Sequence, residues 1–282
     1  ARYLEIHVSR YQQLRIHAFS LRKVDYPTVR KGRFKSSDAA VNRLQEMAVR
    51  TLELCRHEHY EDSPWREQSL YAYDARLQAL YGYHAFGDYR FPDVSFSLLG
   101  RSLNEKGMIA LCAPGGVRVN IPIFSFVWVT AVAEHWLYSG APALFQVHAG
   151  AIDAILAHAF ARHDAATGLY RLPEFPECWH FYEWSPGLCG RLGDDRLNGV
   201  QHAAYNLHLH EAGRAQAWML AQAGRRAEAK ALDARLKTLR AAIHRAFWDD
   251  TAGIYRSVLH SDGKREGAHE LVLVLGHLGL EG

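Results

Sequence analysis

Asp62, Glu67 and Asp74 fall together with Arg66, Arg76 and Trp65 in one short stretch, EDSPWREQSLYAYDAR, residues 61–76. Several acids beside Trp65, Tyr71 and Tyr73 cannot all be ordinary solvated surface. Burial against the rings would raise one carboxyl pKa, and Arg66 or Arg76 would lower another. A pair of carboxyls pushed apart in this way is what general acid catalysis of glycoside cleavage needs. The ordinary alternative is a capping cluster with helix ion pairs, acids early and bases later. Pattern alone does not choose between the two, because perturbed carboxylates mark sites only statistically.

The elements around this stretch must position it. Ser63 suits an N-cap and Pro64 the first helical position, where a missing N–H costs nothing. The spacing predicts a helix from Pro64 to about Phe86, with Glu67 and Asp74 two turns apart on one face. Asp62 would then bend back over that face. Cys178–Leu188, CWHFYEWSPGL, is the second candidate. Aromatic residues in a loop have less reason to be core than those on a helix face. Trp179 and Trp184 offer faces on which sugar rings stack, and Glu183 and His180 offer hydrogen bonds to hydroxyls. A plain loop plug packed on the helices would use the same residues.

Residues 1–34 alternate apolar and polar side chains and read as strands. From Ser36 the period turns helical. SSDAAVNRLQEMAVRTLELCRHEH opens at a Ser/Asp cap, with Cys55 expected as a buried thiol within the helix. PDVSFSLLGRSLN reads as a short helix, IPIFSFVWVTAVAEHWLYSG as an apolar one ended by Gly140, and APALFQVHAGAIDAILAHAFARH as another. A turn-rich insertion at 164–193 precedes two Ala-rich helices, at about 195–223 and 226–247. A turn with a hairpin and a final helix from AHELVLVLGHLGL complete roughly eight helices in antiparallel pairs.

The 61–76 stretch resembles the catalytic signature of the inverting α-L-rhamnosidases, glycoside hydrolase family 78, written D-x-P-x-R-[DE] with a further Asp two turns on. Asp62, Pro64, Arg66, Glu67 and Asp74 stand at matching positions, closest to a branch with a D-C-P-W-R-E-Q motif, Ser63 replacing Cys. The resemblance implies a mainly α fold. This would be an incomplete (α/α)6 toroid of helical hairpins (35–282, about two-thirds of the ring) preceded by the last strands of a β-sandwich (1–34). It implies Glu67 as general acid and Asp62 and Asp74 as holders of sugar hydroxyls, with Arg66 alongside. A similar W-x-F-Y-E-W loop in that branch makes Trp179 and Glu183 substrate contacts. Phe124, Ser125 and Trp128 are expected to pack on an inner helix. PGGVRVN, 114–120, stands where relatives have Trp-x-Asp-Ala, a departure that bears on sugar specificity. The family's base is a Glu farther downstream than this sequence reaches, so the chain is expected to hold the acid half of the machinery. An unsaturated glucuronyl hydrolase, another exo-glycosidase, or a non-catalytic sugar-binding toroid are the alternatives.

Other chemistries lack their parts. With 33 Lys+Arg against 30 Asp+Glu and a net charge of +3, no nucleic-acid surface is expected. HEH at 57–59 and HLHE at 208–211 lack the i, i+4 spacing of a zinc helix, so no metal is expected, and no cofactor fingerprint occurs. The four cysteines show no C-x-x-C pair. No leader and no apolar run near eighteen residues is read, so no membrane span is expected. The expected partner is a carbohydrate.

Overall fold

The computed structural model describes residues 5–7, 9, 13–190 and 200–281. Among them are eight α-helices: α1 (Ala39–Leu54), α2 (Ala72–Ala85), α3 (Arg90–Arg101), α4 (Pro122–Ser139), α5 (Ala143–Phe160), α6 (Ala203–Gln222), α7 (Arg226–Phe247) and α8 (Glu270–Glu281). They form two layers. Helices α2, α4, α6 and α8 touch in succession, while α1, α3, α5 and α7 lie against them. Side-chain chemistry sorts the layers. α4 and α6 are buried nearly all round, as their apolar composition requires. α7 is amphipathic and buries one stripe, whereas α1 buries Leu52 alone.

Most helix ends lie where the residues place them. The Asp38 carboxylate accepts the Ala40 N–H at 2.7 Å and starts α1. Pro122 opens α4, and Gly140 closes it with φ of 72°, a left-handed turn that glycine adopts without strain. Cys55 is buried as expected but caps α1 rather than lying within it. Phe124, Ser125 and Trp128 are buried, and the Trp128 indole donates to the Phe96 carbonyl at 2.8 Å. Short strands finish the fold. β1 (Gln201–His202), β4 (Val258–Leu259) and β5 (Arg265–Glu266) make one small antiparallel sheet; β2 (Trp248–Asp249) and β3 (Ile254–Tyr255) make a hairpin.

Four expectations need correction. The helix expected from Pro64 begins eight residues later, at Ala72. Residues 64–67 form a turn instead, because the Asp62 and Ser69 main chains bond to one another and close the segment on itself. Residues 13–34 pair into no sheet, since no neighbouring strand among the described residues supplies the ladder. α6 begins at Ala203; residues 195–199 of its expected first turns, like 191–193 of the insertion and most of 1–12, lie outside the described residues. Finally, α5 is eighteen residues long and apolar enough by length and composition to cross a membrane. Here it buries Leu144, Ile152, Ile155 and Leu156 against α3, α4 and α6.

Segment 13–34 is fixed at its downstream end. Tyr26 N–H donates to the Arg56 carbonyl at 2.9 Å, and the Lys31 and Gly32 amides donate to the Ala85 carbonyl. A Cβ at Gly32 would stand 2.0 Å from the His84 oxygen, so only glycine permits that approach. Arg56, 1% exposed, lies over the rings of Tyr26, Phe86 and Phe91 and pairs with Asp88 at 3.2 Å. It joins the segment to α2 and α3. Arg56→Ala leaves Asp88 with only the exposed Arg90 as its ion-pair partner and opens a cavity under three rings. The expected loss is about 3 kcal/mol in chemical denaturation.

Candidate active site

The loop before α2 is built by a reciprocal exchange. Asp62 N–H donates to the Ser69 carbonyl at 3.0 Å, and Ser69 N–H donates to Asp62 Oδ1 at 2.9 Å. Within this closure the Ser63 hydroxyl accepts the Arg66 N–H, and the Ser69 hydroxyl donates to the Glu67 carbonyl. The loop presents Trp65 and Glu67 at its surface, Trp65 being 83% exposed. The Glu67 side chain is 38% exposed, takes a 2.7 Å bond from Arg66 Nη2, and meets the Asp62 carboxyl.

Electrostatics separates these acids. Burial pushes the Asp62 carboxyl up, but hydrogen bonds with Glu67, Ser69 and Ser63 outweigh it and hold the group below its usual value. Asp74, in the first turn of α2, is raised: burial is the largest cause, and the charges of Asp62 and Glu67 add to it. Tyr71 is raised by burial and by Glu67, with Asp62 also contributing. All three predicted acids therefore gather at the N-terminal end of α2. Asp74 reaches that end as the first-turn acid of the helix; Glu67 reaches it from the preceding loop, not from the same helical face.

The 173–190 loop comes to this end as well. Its run from Cys178 to Glu183 alternates: Cys178, His180 and Tyr182 are buried, while Trp179 and Phe181 are half-buried and Glu183 exposed. Alternation is the signature of an extended segment with one side anchored. His180 Nε2 bonds the Pro173 carbonyl at 2.8 Å, and the Tyr182 hydroxyl bonds His202 Nδ1 at 3.0 Å. The expectation that His180 meets a sugar hydroxyl is thus corrected: its ring is spent anchoring the loop. On the other side, Trp179, Phe181 and Trp184 pack ring to ring, and Trp184 remains 73% exposed. The Glu183 carboxylate accepts the Trp184 N–H at 2.6 Å and its charge reaches Tyr73, next to Asp74. Cys112, from the loop that contains PGGVRVN's approach, lies within reach of Asp62 and Ser69.

One constellation escaped sequence reading. Arg76 on α2 donates to both oxygens of Glu134 on α4, at 2.9 and 2.7 Å, and to Glu211 on α6 at 3.0 Å. Burial opposes the Glu211 charge, yet His208 and Arg76 hold its pKa down at about 2. A cavity of about 630 Å³ beside this cluster is lined by α2, α4, α6 and α8. The only hint in the sequence was a lone acid, Glu134, in the apolar run IPIFSFVWVTAVAEHW. Among the described residues, no group of three metal-ligating side chains occurs.

Clustered acids and an exposed indole thus stand at the N-terminal end of α2 in a layered helical fold. Residues 29–275 match the bacterial alpha-L-rhamnosidase six-hairpin glycosidase domain, and the chain belongs to that family. It is similar to the GH78 family rhamnosidase of Bacillus sp. GL1, at 27% identity and a TM-score of 0.79, over 92% of this chain and 26% of that one. A rhamnosidase from Klebsiella oxytoca, solved with rhamnose bound, shares the fold at 22% identity and a TM-score of 0.69, covering 86% and 45%. The alpha-L-rhamnosidase of Dictyoglumus thermophilum shares it at 13% identity and a TM-score of 0.65, covering 80% and 24%. The chain thus spans less than half the length of these relatives. No curated protein sequence matches it.

Two outcomes follow from the charges. His202 and His210 are held neutral by burial, with pKa values lowered to about 3 and about 4. The unfolded chain therefore takes up these protons first, and stability falls as pH drops from about 6.5 towards those values. His202→Gln is expected to flatten that loss in thermal melts between pH 7 and 4. Arg76→Met leaves two facing carboxylates without their shared cation and is expected to cost about 3 kcal/mol at neutral pH in urea denaturation.

Proposed function

We propose that this domain removes terminal α-L-rhamnose, or a closely similar sugar, from glycosides or polysaccharides by an inverting mechanism. One observation carries the reading: a part-exposed carboxyl, Glu67, meets Asp62, which hydrogen bonds hold below its usual pKa, beside Asp74, which burial pushes up. Glu67 gives its proton to the departing glycosidic oxygen. Arg66 pairs with it at 2.7 Å and steadies the carboxylate left after transfer. Asp62 accepts from a sugar hydroxyl. Asp74 hydrogen-bonds a second hydroxyl. Trp179 and Glu183 contact the substrate from the opposite loop.

An inverting pair needs a second carboxylate roughly 6.5–9.5 Å from the acid, with a water between them. Asp62 and Asp74 are engaged with the acid itself, and Glu183 caps the Trp184 N–H. We assign the base to a carboxylate outside this sequence. The missing Trp-x-Asp-Ala at 114–120 favours one second reading, a six-hairpin hydrolase of a different sugar such as an unsaturated glucuronide. A panel of nitrophenyl glycosides separates the two.

Glu67→Gln in the intact protein is expected to remove turnover of substrates with poor leaving groups, by a factor of about 10² to 10⁴. Turnover of a dinitrophenyl glycoside, which departs without a proton, should fall far less. Unchanged hydrolysis of an alkyl glycoside would show that Glu67 is not the acid.

A further inference from the structure

Gln68 is the one non-glycine residue among the described residues with a positive φ, at 53°. It directly follows Glu67. A left-handed backbone is uncommon for a side chain of this kind and unfavourable for L-residues in general, so something must hold it there. Two contacts do. The Gln68 side-chain Nε2 donates to the Pro64 carbonyl at 3.1 Å, reaching back across the turn. On its other flank, Ser69 N–H and carbonyl are locked into the exchange with Asp62.

The geometry accounts for the strain. The chain leaves Asp62, runs through the turn at 64–67, and must return to Asp62 at Ser69. A right-handed residue at 68 would continue the turn into helix, the course that the Ser63–Pro64 start signal favours. The left-handed residue reverses the chain instead and leaves the Glu67 side chain against Asp62 and Arg66. Gln68 itself is exposed and fills no core. Substitutions there act on the turn and on little else.

We propose that Gln68 is the positioning residue of this site: its left-handed backbone, braced by its side-chain amide on the Pro64 carbonyl, aims the Glu67 carboxyl across the loop at Asp62. The proposal rests on the reading of Glu67 as the acid. Valine cannot adopt this φ without severe strain, whereas glycine adopts it freely. Gln68→Val and Gln68→Gly, made in the intact protein beside Glu67→Gln, are assayed on phenyl and 2,4-dinitrophenyl α-L-rhamnosides. Gln68→Val is expected to lower kcat on the phenyl substrate about 100-fold, with KM little changed. On the dinitrophenyl substrate its effect should be small. Gln68→Gly should retain most of the activity on both.

Wild-type turnover of the phenyl substrate by Gln68→Val, alongside an inactive Glu67→Gln, would overturn the role of Gln68 alone. Equal losses of Val and Gly variants, or losses that ignore the leaving group, would do the same. A Glu67→Gln variant that remains active on the phenyl substrate would remove the acid assignment and this proposal with it. Circular-dichroism melts of both Gln68 variants distinguish a displaced carboxyl from an unfolded domain, and a melt unchanged from wild type is the expected result.

Discussion

One guanidinium ties three inner helices together. Arg76 projects from α2 and is bonded by Glu134 of α4 and Glu211 of α6. Helices α2, α4 and α6 otherwise meet through apolar surfaces, which fix distance but not register. A planar fork bonded to two carboxylates fixes register as well, because its N–H groups point in set directions. The cluster sits half a turn from Asp74 on the same helix. Whatever holds α2 in register therefore also holds the site at its N-terminal end.

The site itself is a meeting of two loops with opposite logic. The 62–69 loop is closed by one main-chain bond and by the Asp62 carboxylate, and leaves Trp65 and Glu67 outward. The 173–190 loop is anchored through side chains: His180, Tyr182 and Cys178 face in, so Trp179, Phe181 and Glu183 face the other way. Each loop thereby gains a rigid backbone, although Asp62 and Glu183 each give one carboxylate oxygen to a main-chain N–H. Exposed indoles at Trp65 and Trp184 are costly surface for a protein with no ligand, and stacking faces are a physical reason to keep them.

Sequence reading succeeded where the signal was local. The Asp38 cap, the Pro122 start, the Gly140 stop and the α7 span follow from residues within one turn of each boundary. It failed where two answers were locally equivalent. Ser63–Pro64 is a sound helix start, but the same serine and aspartate serve a closed loop equally well. Alternation in residues 13–34 is a sound strand pattern, yet a strand exists only when a neighbour completes its hydrogen bonds.

The sequence alone therefore determined the helical class and the family signature, because these depend on residue type and short spacing. Only the tertiary structure decided how the acids meet. Glu67 comes from a loop and not a helical face, His180 turns inward, and Arg76 serves Glu134 and Glu211 across long sequence separations instead of a carboxylate in its own stretch. The physical reason is common to all three. A side chain's pKa and partner are set by burial and by charges brought near through folding, and neither is a property of the residues adjacent in the chain.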